Sequence, residues 1–144
     1  MNVELLKSVA GGSELLDWFD GHAPRFHDAE VLGIAFDREG PTCTLRVHAF
    51  KMTGATNADG YYVLEGHVVV TFRIEEVIAM QLDDFNHQNA LMALNIARAA
   101  EGGLRLDLEP AFGLSGHIEG RSLSISLEPG IPPKRQYAAR ANVS

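Results

Sequence analysis

The sequence predicts a mainly β fold, an antiparallel sheet or sandwich with short helices at its N-terminus. Apolar residues recur with period two, turn residues separate these rows, and the only helix-like patterning outside residues 89–101 lies before Gly21. The pattern corresponds to roughly seven or eight strands.

Residues 3–10 and 13–19 read as short helical pieces broken at Gly11-Gly12. Ser13 is the expected N-cap of the second, and Gly21 stands just past its end. Leu15, Leu16, Trp18 and Phe19 supply the apolar side that docks it.

Residues 31–36 alternate, with Leu32, Ile34 and Phe36 on one face. Residues 43–52 follow after the turn-rich Asp37-Arg38-Glu39-Gly40-Pro41, which makes a hairpin. Residues 53–60 are a loop. Residues 61–74 form a long strand with Val68, Val70, Phe72 and Ile74 on one side, and residues 77–82 a short one. Residues 104–109, 114–119 and 123–128 complete the set, the last two joined through Gly120-Arg121 as a tight hairpin. The propensity of residues 89–101 favours helix, with Gly102-Gly103 as the cap, although Met92, Leu94 and Ile96 also alternate.

Run backwards, the first strand's alternation carries Asp28 and Glu30 onto the core face. Pairing Phe36 with Cys43, Ile34 with Leu45 and Leu32 with Val47 brings these carboxylates to the end of the hairpin beside Lys51. The expected arrangement is a cross-strand ion pair closing the rim, because a bare buried carboxylate is costly.

The 144 residues suit one domain, with a β-rich body over residues 1–129 and a basic tail over 130–144. Apolar residues make up 46% and charged residues 22%, as in ordinary globular chains. No apolar run is long enough to span a membrane as a helix, and the start has no signal-peptide pattern. Cys43 is the only cysteine, so the expected compartment is the cytoplasm. The tail holds Lys134, Arg135 and Arg140 and no acid. The body therefore keeps 9 of the 12 basic residues against all 19 acidic ones, a net of −10. Such a body repels nucleic acid and anionic membranes and attracts a basic partner.

No catalytic motif is complete. Ser115 in Gly113-Leu114-Ser115-Gly116 lacks the nucleophile-elbow spacing. Cys43 shares a strand row with Leu45 and Val47, as a buried small side chain does. His27 and Asp28 are neighbours, which an ideal strand sends to opposite faces. His48 shares the outer face with Arg46 and Phe50, and His67 alternates out of phase with Val68 and Val70. No His spacing matches a metal motif. The Asn86-His87-Gln88-Asn89 run reads as a loop whose amides bond nearby backbone.

Trp18-Phe19, Phe26-His27-Asp28-Ala29-Glu30-Val31, the run HVVVTFRIEEV from His67, Leu82, DFNHQNAL from Asp84, and Gly113-Leu114-Ser115-Gly116 follow one another in an order that resembles the immunity protein 50 family. These are bacterial toxin-neutralising proteins. The resemblance runs from Trp18 to about Leu127, and its most specific parts are the FHDAEV and FNHQN segments. It implies a mostly β fold and tilts residues 89–101 towards strand. It also implies a non-catalytic protein, with no cofactor, that binds a protein toxin; the acidic body suits a basic one. The binding candidates are His27, Asp28, Glu30, Arg46, His48, Asn86 and His87. Two alternatives stand beside it. One is a small hydrolase or metal enzyme built on His27, Asp28, Glu30 and His48. The other is a ligand-binding sandwich with Trp18, Tyr61, Tyr62 and Phe112 as stacking surfaces.

Overall fold

A computed structural model describes residues 1–133, the side chain of Tyr62 excepted, so Lys134, Arg135 and Arg140 lie outside the described residues. The chain is mainly β. Two short helices, α1 (Val3–Lys7) and α2 (Gly12–Trp18), precede β1 (Glu30–Asp37), β2 (Thr42–Thr56), β3 (Tyr62–Asp83), β4 (Leu91–Arg98), β5 (Leu104–Pro110) and β6 (Ser115–Pro129). The strands form one six-stranded antiparallel sheet in the order β1-β2-β3-β6-β5-β4.

The two ends of this sheet meet. Asp28 N–H donates to Leu91 C=O at 2.8 Å, Leu91 N–H to Ala29 C=O at 2.8 Å, and Val31 N–H to Asn89 C=O at 2.9 Å. The segment entering β1 thus pairs with the start of β4 and closes the hydrogen-bonded circuit. Inside the curl, Leu45, Val47, Val70, Phe72, Leu106 and Ile118 are fully or almost fully buried. Phe26 stacks edge-to-face on Phe72 with centroids 5.7 Å apart.

The helices fill the gap where β6 leaves β5. Ladder pairing of β5 stops at Gly120, and beyond it Ile125 N–H bonds Ala10 C=O at 2.8 Å. Leu6, Leu15 and Leu16 are buried there. Ser13 lies inside α2 and is not its cap. The N-cap is Gly11, whose φ of 82° only glycine adopts freely, and its backbone sits against Ile125 C=O where a Cβ would clash. Gly21 ends α2 as expected, with φ of 85° and its N–H 2.7 Å from Leu16 C=O.

Among the described residues six strands replace the larger number expected, because two of them are long. Residues 77–82 continue β3 past a bulge between Val77 and Ala79. Gly120-Arg121 is not a hairpin but the middle of β6. A Cβ on Gly120 would meet the Ile74 Cγ2 methyl and come within 2.8 Å of Glu75 C=O, so glycine here allows β3 and β6 to approach closely. Most of residues 89–101 is strand β4; pairing with β5 overrides helix propensity.

The β1–β2 register matches expectation at Phe36–Cys43 and Ile34–Leu45, then departs. A bulge at Leu32 pairs Val31 with Val47 and Glu30 with His48. One extra residue reverses the alternation, so Val31 is buried and Glu30 is exposed. Phe36, expected in the core, is 53% exposed, since β1 is an edge strand at that point.

Candidate functional site

The bulge at Leu32 decides where Glu30 goes. Glu30 stands on the outer surface, in a row that runs Glu30–His48–Val69–Glu128 across β1, β2, β3 and β6. Strand alternation puts Arg46 next to His48 on that face, and Arg46 is exposed.

His48 is the centre of an imidazole–aromatic cluster. Its Nε2 lies 3.0 Å from Nδ1 of His67, so one ring donates and the other accepts. The two rings stack with centroids 5.2 Å apart, and Phe50 sits 5.9 Å from each. Burial pushes the His48 pKa below the ordinary imidazole value, the His67 charge pushes it the same way, and Glu30 acts in the opposite direction.

On its other side Glu30 lines a groove of about 430 Å³ with Val31, Leu32, Phe85, Asn86, His87 and Asn89. The loop that forms this wall is self-organised, as its amide-rich sequence suggested. Buried Asn89 accepts through Oδ1 from the N–H groups of Asn86 (3.0 Å) and Leu114 (3.1 Å), and donates through Nδ2 to Asn86 C=O at 2.7 Å. Asn86 donates to Asp84 C=O and accepts from Gln88 N–H. These bonds occupy the amides and leave His87 and Phe85 exposed, the latter at 54%.

His27 and Asp28 go elsewhere. They pair with each other, Nδ1 to Oδ2 at 3.1 Å, although an ideal strand would separate them. The backbone is not extended here: Phe26 and Asp28 have φ of 60° and 65°. His27 lines a separate cleft of about 560 Å³, floored by Ala29 and Ala49, walled by Phe19 and Phe26, and rimmed by Arg25 and Lys51. The His27–Asp28 and Glu30–His48 couples therefore do not form one set.

The expected ion pair of Lys51 with Asp28 or Glu30 is absent among the described residues. Lys51 instead lies 3.4 Å from Asp20 and 6.0 Å over the Trp18 ring. The flipped register removed Glu30 from its reach. Cys43 is buried with its thiol pKa pushed up to about 11, consistent with a packed side chain. Among the described residues, no group of three or more His, Cys, Asp or Glu side chains is placed to hold a metal. None of the helices in them is long and apolar enough to cross a membrane. Trp18 Nε1 is bonded to Gly66 C=O, while Tyr61 and Phe112 are exposed on separate turns.

The sequence had marked Glu30, Arg46, His48, Asn86 and His87 individually. His67 was visible through its phase against Val68, whereas Phe50 and Phe85 carried no signal beyond being aromatic. Comparisons with family models, curated proteins and solved structures give no match to the chain.

Proposed function

We propose that this chain is a non-catalytic, immunity-type protein that binds and neutralises a basic bacterial protein toxin. The observation that carries the reading is the convergence on Glu30. Residues far apart in sequence, His48, His67 and the Phe85–His87 stretch, meet around one exposed carboxylate. Exposed Phe85 offers an apolar anchor, and the body around it carries a net of −10. An aromatic anchor within an acidic field suits recognition of a cationic protein surface. The resemblance to immunity protein 50 points the same way.

The experiment is capture from the native cell with the full chain as bait, beside a Glu30→Lys variant. A basic protein should be retained by the wild type. Its association with the variant should slow strongly at low salt, while the melting temperature stays unchanged because Glu30 is exposed. Equal association of both chains would remove the Glu30 surface from the reading, and capture of only acidic proteins would remove the reading itself.

A further inference from the structure

The longest strand ends in an unused edge. On its β2 side, β3 is paired as far as Ile74, opposite Cys43, and one further bond runs from Val77 N–H to Pro41 C=O at 2.9 Å. From Ile78 to Asp83 the strand continues, but among the described residues it pairs only with β6. An antiparallel strand directs half of its backbone groups to each side, so this edge presents free N–H and C=O groups in a row.

The side chains there are also unfinished. Met80 lies opposite Ile118, Ile118 opposite Leu106, and Leu106 opposite Ile96. Ile118, Leu106 and Ile96 are buried to 1% exposure or less, yet Met80, at the end of the same row, is 52% exposed. Ile78, one pleat away, is 56% exposed. The bulge near Ile78 shortens the edge, but Ala79-Met80-Gln81-Leu82 carries no charge and no proline to blunt it.

The geometry points to residues 78–83 of β3 as a docking edge for an extended strand of a foreign protein, alternating in apolar residues and basic at one end. Backbone pairing would supply affinity, and Met80 with Ile78 would read the apolar side chains of the incoming strand. The basic end is set by Asp83 and Asp84, which have no ion-pair partner among the described residues. At the opposite end Glu75 and Glu76 are already paired with Arg73 and Arg121. A second copy of this chain is the poorer occupant. From Ile78 to Asp84, the part of the strand left free by β2, there is no lysine or arginine, so pairing of two copies through this edge sets Asp83 and Asp84 against no cation of the edge itself. This edge adjoins the Glu30 surface at Asp84-Phe85 but uses different groups, its free backbone and Met80, and the inference holds whether or not the partner is a toxin.

The test is amide hydrogen exchange and chemical-shift mapping of the full chain with a synthetic peptide that alternates valine and threonine and carries lysines at one terminus. Amides within residues 78–83 should gain protection, and those of β1 should not. Replacing the peptide's lysines by glutamates should weaken binding about tenfold or more. Met80→Lys, at an exposed position, should do the same with its melting temperature unchanged, and Gln81→Lys gives an independent version. Protection appearing elsewhere, binding that ignores the lysine-to-glutamate change, or both variants binding like wild type would overturn the proposal. So would edge amides already protected in the free chain, since a second copy or the chain itself would then fill the edge.

Discussion

Glu30 lies directly across the β1–β2 ladder from His48, and His48 in turn holds Nε2 3.0 Å from Nδ1 of His67. Both neighbours therefore act on the protonation of His48. Only one proton fits between the two ring nitrogens, and a charge on His48 meets both burial and the repulsion of His67.

That arrangement makes stability depend on pH in one direction. The folded pKa of His48 is lowered, so below the unfolded imidazole value, about 6.5, the unfolded chain binds more protons than the folded one. The contribution of neutral His48 is complete above that pH and is lost progressively as pH falls towards the folded value. Melting temperature should drop as pH falls below about 6.5. His48→Gln should flatten part of this slope. An identical slope in the variant would show that His48 is not the responsible group.

Asn89 is the polar side chain on which the 84–89 loop turns. It is 2% exposed, and its Oδ1 serves both Asn86 N–H and Leu114 N–H. Asn89→Ala leaves those donors without their acceptor and removes the Nδ2 bond to Asn86 C=O. The expected loss is about 2–3 kcal/mol, read from urea unfolding. A loss within about 0.5 kcal/mol would mean that water replaces the amide without penalty.

These two sites differ in how far the sequence discloses them. The amide network needed only its composition, because closely spaced Asn and Gln side chains bond local backbone wherever the chain turns. The β1–β2 hairpin was also legible from its apolar rows and its turn. The place of Glu30 was not. It depends on which residue of Val31-Leu32-Gly33 is left unpaired, and only Gly33, a glycine inside a strand, hinted at irregularity. One bulge then moved Glu30 from Lys51 to His48. The glycine at 120 misled in the opposite way. Glycine marks both turns and close approaches, and alternation alone does not separate a bent long strand from two short ones.

Gly120 supplies a direct check of that distinction. In a two-residue turn an added methyl would be tolerated or mildly unfavourable. Inside β6 it is driven into the Ile74 side chain, itself 3% exposed, and towards Glu75 C=O. Gly120→Ala should therefore destabilise by about 1–3 kcal/mol, the usual range for overpacking. Calorimetry reads it directly, and a melting temperature equal to wild type would contradict the close β3–β6 approach.

The last expectation concerns Lys51, whose partner changed when the register did. Its Nζ lies 3.4 Å from Asp20 Oδ2, with Lys51 mostly covered and Asp20 largely exposed. The Trp18 ring, 6.0 Å away, adds a weak cation–π contact that does not depend on Asp20. A pair with one partner in water contributes roughly 0.2–1 kcal/mol. Lys51→Ala and Asp20→Ala should thus be non-additive by that amount in a double-mutant cycle, and the coupling should shrink in high salt. The same cycle run on Lys51→Ala with Glu30→Ala should come out additive, because Glu30 faces His48 on the outer surface. Trp18→Leu combined with Asp20→Ala separates the two sources: the Lys51–Asp20 coupling should survive in the Trp18→Leu background. A Lys51–Glu30 coupling as large as the Lys51–Asp20 one would restore the uninterrupted strand register and remove the bulge at Leu32 on which the proposed site depends.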